Sequence, residues 1–201
     1  IGEFAFQSCT NLEVLHFGDG NTFIEMGAFY LCSGLKTVYF GDGETSIASS
    51  AFLDCTSLET VHFGDGKTFI EAALYELPHL QAVYFGNGET SLTGGTCSDC
   101  PNLEAITVGN NKTSIGDNTF HNCPKLATIN FGKGETTIGT SAFASCTGLR
   151  TVDLGDNVIS VGVRAFENCS SLTSVTVPAS VNSLSNNVFS NCSALTNVVL
   201  E

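Results

Sequence analysis

Leu126 to Leu149 read LATINFGKGETTIGTSAFASCTGL, and the two leucines stand 23 positions apart. The same frame runs from Leu12 to Leu35, from Leu35 to Leu58 and from Leu149 to Leu172. Leucine opens every copy, at Leu12, Leu35, Leu58, Leu80, Leu103, Leu126, Leu149, Leu172 and Leu195, and seven further columns keep step with it. A fixed period of this size marks an array in which each supersecondary unit leans only on its neighbours. Residues 1–201 therefore read as a single repeat domain of about nine coils.

Within a copy, apolar residues recur three and five positions after the leucine, as in Val38 and Phe40, Val61 and Phe63, and Val152 and Leu154. That alternation, rich in β-branched and aromatic residues, predicts a strand with one face turned inward. A glycine follows at Gly18, Gly41, Gly64, Gly86, Gly109, Gly132 and Gly155, usually within Gly-Asp-Gly or a relative of it. These are turn residues, and glycine with asparagine is expected to supply the positive φ of a sharp corner. A threonine column (Thr22, Thr45, Thr68, Thr90, Thr113, Thr136) is expected to hydrogen-bond loop backbone, and one buried aliphatic follows it, Ile24, Ile47 and Ile70 being the first three. The last stretch is Ala-Phe-x-x-Cys-x-x-Leu, whose three-residue steps suit a short helix or 3₁₀ turn.

Ile138–Gly139 followed by Ala142, Phe143, Cys146, Leu149 and Val152 resembles the BspA-like leucine-rich repeats, and the likeness runs through the whole chain. The resemblance implies a right-handed leucine-rich-repeat solenoid, with a parallel β-sheet on one face and short helical or 3₁₀ turns and loops on the other. It also implies a place among surface proteins of bacteria and protists, at the cell surface or outside the cell, where adhesion to host or matrix proteins is the usual role. The asparagine column of ordinary leucine-rich repeats is absent, and Gly-Asp-Gly-x-Thr often replaces the proline-containing turn.

Formal net charge is -13, with 20 acidic residues against 7 Lys and Arg. Residues 1–100 hold 13 of the acids and only Lys36 and Lys67 as bases. Phosphate backbones and anionic membranes attract clustered Lys and Arg, so nucleic acid is excluded and basic or cation-bridged protein partners fit better. No apolar run approaches the ~18 residues of a membrane span, so direct membrane insertion is not expected. The chain begins at Ile1, already in a core column, and stops at Glu201 just after an expected strand. A segment of a longer chain, touching flanking domains at both open ends, is the expectation.

Eight of the nine cysteines (Cys9, Cys32, Cys55, Cys100, Cys123, Cys146, Cys169, Cys192) occupy one column. Stacked coils lie ~4.8 Å apart, so the thiols should form a buried ladder of small hydrophobes. Such a file cannot converge tetrahedrally on zinc. Cys97 replaces the expected Phe in an irregular region where Leu58 and Leu80 stand 22 apart and Pro78 displaces the ladder cysteine. It reads as a shrunken core position or, with Cys100, as a local disulfide or redox pair; residues 71–100 are expected to be kinked, loosely packed or in contact with something.

Two columns of the strand should face outward. The column four after each leucine reads His16, Tyr39, His62 and Tyr84, then Thr107, Asn130 and Asp153. Amphipathic aromatics in file on a rigid sheet have the composition of interface anchors, although cross-strand stacking alone also favours such neighbours. The candidate partner-binding residues are this stripe with Thr37, Thr60, Glu13, Lys36 and Glu59. His16 and His62 lie two coils apart, too far to share one metal ion. Asp19, Asp42, Asp65 and Asp156 occupy one corner, one carboxylate per coil, where calcium would need 6–8 oxygens. No cofactor and no catalytic set is expected. The function that emerges is a non-catalytic, protein-binding adhesion or recognition module. Its rival is a structural scaffold or spacer subunit held in a larger assembly, and carbohydrate binding through the Tyr-His stripe is a third reading.

Overall fold

The computed structural model describes all residues 1–201 and shows a parallel β-solenoid of about eight turns. That is one fewer than the leucine count suggests, because nine rungs bound eight intervals. Sixteen short strands alternate along it: β1 (Val14–His16), β2 (Thr22–Ile24), β3 (Thr37–Tyr39), β4 (Thr45–Ile47), β5 (Thr60–His62), β6 (Thr68–Glu71), β7 (Ala82–Tyr84), β8 (Thr90–Thr93), β9 (Ala105–Thr107), β10 (Thr113–Ile115), β11 (Thr128–Asn130), β12 (Thr136–Ile138), β13 (Thr151–Asp153), β14 (Val158–Val161), β15 (Ser174–Val177) and β16 (Asn197–Leu200). The strand expected after each leucine is present and pairs in parallel with its copy one repeat away, Val38 lying between Leu15 and Val61.

A second sheet of seven strands, in the order β14-β12-β10-β8-β6-β4-β2, runs through the threonine and aliphatic columns. The sequence reading treated this stretch as loop. Thr-x-Ile is too short to declare a period, and only the stacked neighbours supply its hydrogen bonds. The threonine side chains act on loop backbone as expected: buried Thr90, Thr113 and Thr136 donate to the carbonyls of Gly88, Asn111 and Gly134 at 3.4, 3.3 and 3.1 Å.

The back wall contains no helix, which corrects the expectation of helical or 3₁₀ turns. Every coil there holds residues in the left-handed region, such as Ser50 and Asp54 (φ 59° at each), and Asn118 and Asn122 (φ 55° at each). A left-handed residue at four-residue intervals prevents a helical run. The amides instead alternate between partners. Tyr30 and Cys32 donate within the coil to Gly27 and Phe29, whereas Phe29 and Leu31 donate to Ala51 and Leu53 of the next coil. The wall is thus a third inter-coil ladder.

The corner glycines also differ from expectation. Gly41, Gly64, Gly86 and Gly109 are not left-handed; only Gly132 (φ 65°) and Gly155 (φ 64°) of that column are. What the column requires is close approach: a Cβ on Gly64 would collide with the carbonyl oxygen of Gly41.

Fifty buried residues form one core. Phe17, Phe40, Phe63 and Phe85 stack behind the first sheet with centroids 4.8 to 5.2 Å apart. Phe120, Phe143, Phe166 and Phe189 stack at the back. Each buried ring contributes about 1.5–3 kcal/mol, so stacking rather than local propensity holds the coils.

The irregular repeat is not kinked. Leu74 occupies the Phe position and Leu77, rather than Pro78, the ladder position, both fully buried; Cys97 is fully buried in the next coil, and buried Thr96 donates to the carbonyls of Ile70 and Thr93 at 3.2 and 2.6 Å. Strands β6 and β8 stay in register across it. The interruption falls elsewhere. The first sheet divides into six strands ending at β11 and three beginning at β13. Asn130 and Asp153 there turn their side-chain oxygens onto the amides of Gly132 and Gly155, 3.0 Å away in each case, and Ile129 is only half-buried.

Candidate functional site

Strands β1, β3, β5 and β7 carry His16, Tyr39, His62 and Tyr84 at matched register positions, so the coil spacing brings the rings together. Ring centroids are 4.7, 4.8 and 4.8 Å apart, with planes inclined by 5°, 16° and 15°. Tyr39 and Tyr84 are 39% and 44% exposed, which is high for aromatics held in regular sheet. His62 lies between two tyrosine faces, and this burial lowers its pKa below the ordinary 6.5. The stack ends at Thr107, the partner of Tyr84 on β9.

The stacking decides what the stripe can offer. Rings packed face to face present only edges outward: two tyrosine hydroxyls and two imidazole edges. A sugar ring docks against a free aromatic face, and between neighbours no such face exists. Between neighbours the stack therefore offers hydrogen-bonding edges rather than ring faces.

Lys36 bridges to Glu13 at 3.0 Å, and both are exposed. Glu59 is exposed one coil further along. Half-buried Thr60 donates its hydroxyl to that of Thr37 at 3.3 Å.

On the corner side, the carboxylates of Asp19, Asp42 and Asp65 each accept the backbone amide of the next coil, from Asp42, Asp65 and Asn87, at 3.3, 2.9 and 2.8 Å. One oxygen of each corner aspartate is thus committed to the turn above it. His16 and His62 are separated by Tyr39, and no group of three His, Cys, Asp or Glu side chains converges as a metal site.

The cysteine ladder has a specific role. Cys55, Cys123, Cys146, Cys169 and Cys192 donate their thiols to the carbonyls of Phe29, Cys97, Phe120, Phe143 and Phe166 of the preceding coil, at 3.2 to 3.3 Å. Those carbonyls belong to the back-wall turns and have no inter-coil amide. Burial pushes the thiols of Cys55, Cys123 and Cys169 up to about 12 and raises that of Cys97 well above its ordinary value. All nine cysteines are free thiols, and only Cys9 is exposed.

One exposed surface was missed by the sequence reading, since it belongs to the second sheet. Phe23 and Phe69 project from β2 and β6, each 54% exposed. Beside them the column Glu44, Lys67, Glu89, Lys112, Glu135 alternates in sign from coil to coil, with Lys67–Glu89 at 3.3 Å and Lys112–Glu135 at 3.8 Å. The alternation was visible nine positions after each leucine, but nothing placed it on a sheet.

The BspA type leucine rich repeat region matches residues 1–127 and 113–201 in six copies. The chain belongs to this family. Among solved structures, this BspA-type chain is similar to a leucine-rich repeat protein from Bacteroides ovatus, with 23% identity and a TM-score of 0.68 over 100% of this chain. It is similar also to a leucine rich repeat protein of T. pallidum, with 22% identity and a TM-score of 0.57 over 94% of this chain. It spans 58% of the length of the former and 75% of the latter. At these identities the likeness speaks for the solenoid fold alone. No curated protein matches the sequence. No helix is long and apolar enough to cross a membrane.

Proposed function

We propose that this BspA-type solenoid is a non-catalytic protein-recognition module, working in adhesion at a cell surface or outside the cell, and that its first sheet is the binding face. The observation that carries the reading is the exposed four-ring stack His16–Tyr39–His62–Tyr84. A stack on a rigid sheet loses almost no rotamer freedom when a partner docks, so its contacts are pre-organised. The family supports a surface location, since BspA-like repeats are characteristic of surface proteins.

The test replaces Tyr39, His62 and Tyr84 together with alanine. Wild-type and variant protein are used to capture partners from the native source, and mass spectrometry compares the two sets. The variant should keep its circular dichroism and melting temperature while losing the partner enriched by the wild type. Equal enrichment by a folded variant would remove this face from consideration.

The rival reading is a structural scaffold or spacer subunit held within a larger assembly. Size-exclusion chromatography separates the two: a monodisperse monomer favours recognition, association through the ends favours a scaffold.

A further inference from the structure

We infer that the segment received by this face is cationic, an extended stretch of a protein partner bearing Lys or Arg and laid across the first four coils; this rests on the stripe being the recognition face. The stripe runs between the file of corner aspartates and a flank whose one uncompensated acid within the first four coils is Glu59. Three residues before His16 and His62 stand Glu13 and Glu59, and the base between them, Lys36, is neutralised by Glu13 at 3.0 Å. Three residues after His16, Tyr39 and His62 stand Asp19, Asp42 and Asp65, all exposed.

The corner aspartates are held in place by the amides their Oδ1 atoms accept. Their second oxygens carry no partner in the structure and are free to receive a donor. That the stripe and corner columns share one surface is seen further along the solenoid, where Thr107 and Asn130 of the first line a common groove with Asn110 and Lys133 of the second. Carried back three coils, the same two columns hold rings and carboxylates.

The site also has an end. The corner file has already changed to Asn87 in the coil of Tyr84 and continues as Asn110 and Lys133, the stripe continues as Thr107, and the other flank runs through Gln81, Glu104 and Ala127 to Arg150. The aromatic edges are thus confined to coils one to four, and the unbroken run of corner carboxylates to coils one to three. A cationic segment gains from both flanks at once, and its ammonium or guanidinium groups meet tyrosine hydroxyls and imidazole edges rather than closed ring faces. An acidic segment would be repelled from both sides.

The probe is an alternating Arg-Thr peptide of about eight residues, long enough at ~3.3 Å per residue to cross four coils, with the Glu-Thr peptide as its counterpart. Fluorescence anisotropy should show saturable binding of the first alone, weakened by added salt. Glu59→Gln with Asp65→Asn, which keeps the Oδ1 acceptor of the corner, should weaken binding about tenfold. Glu89→Gln with Glu135→Gln, an equal loss of charge on the second sheet, should leave it within about twofold. No binding, or equal weakening by both pairs, overturns the inference. Failure here is distinguishable from failure of the recognition reading. If the Glu59 and Asp65 variant captures the native partner as well as wild type while the triple alanine variant does not, the face is right and its charge preference is wrong.

Discussion

The thiol of Cys146 donates to the carbonyl oxygen of Phe120, 3.2 Å away in the preceding coil. The bond explains why the column carries cysteine rather than alanine. Alanine would pack but leave a buried carbonyl with one fewer donor. Cys146→Ala should therefore cost about 1–3 kcal/mol, from the lost donor together with a small void. Urea unfolding measures it; a loss below about 0.5 kcal/mol would show the thiol to be a mere filler.

Burial also protects these sulfurs from chemistry. In the native protein an alkylating reagent should modify Cys9, which is exposed, and leave the other eight untouched until the chain is unfolded. Mass spectrometry of the native and the denatured protein after brief alkylation counts the labels. Several labels on the native chain would contradict the stacked interior.

Alkaline pH should unfold the solenoid steeply. The buried thiols of Cys55, Cys123 and Cys169 are raised from 9.0 to about 12, so in the unfolded chain they lose protons that the folded chain keeps. Their contribution is complete below pH 9.0 and is lost as pH climbs toward 12, at about 1.4 kcal/mol per thiol per pH unit. Urea titrations from pH 8 to about 11 should show this slope, reduced in a variant with these three cysteines replaced by alanine. An unchanged slope would assign alkaline unfolding to other groups.

Leu31 occupies the left-handed region at φ 61°, in a column where other coils place Asp54, Asp99, Asn122, Asn168 and Asn191. A leucine there carries a Cβ clash that asparagine relieves with its own local hydrogen bonding. Leu31→Asn should raise stability by about 0.5–1 kcal/mol, seen as a higher melting temperature. A lower one would mean that the side chain of Leu31, at 36% exposure, contributes more packing than its backbone costs.

The division between β11 and β13 should be visible in hydrogen exchange. The amides of Val108 and Glu104 donate across the first sheet to Asn130 and Gln81, whereas those of Phe131 and Arg150 have no backbone acceptor. Phe131 and Arg150 should exchange at least about tenfold faster. Lys133 offers no side-chain acceptor to the corner above it, unlike Asp19, Asp42 and Asp65 in earlier coils. Lys133→Asp should therefore slow the exchange at Arg150; identical rates would separate the corner from the division.

The leucine and phenylalanine columns, the first strand and the thiol file were all legible before any coordinates. Each is a period of 23 written in residue types whose burial is nearly obligatory. The outward position of Tyr39 and His62 followed from simple alternation within a strand. The second sheet did not, because Thr45–Ile47 and its copies are three residues long and acquire their ladder only from neighbouring coils. The site was legible in its members but not in its behaviour. That Tyr39 and His62 close their faces on each other at 4.8 Å, leaving edges to a partner, depends on the distance between coils.

The sequence by itself determined that one unit repeats, which residues point inward and that acids crowd the first half, since hydrophobic period and charge need no partner to be read. The tertiary structure alone decided which backbone groups bond across coils. It set glycine at Gly64 for close approach rather than for positive φ, turned the back wall into left-handed turns instead of a helix, gave Cys146 the carbonyl of Phe120, and opened the first sheet after β11. Those outcomes are contests between hydrogen-bond partners 22 to 26 residues apart. They are settled only when stacking brings the competitors within 3 Å or so of one another.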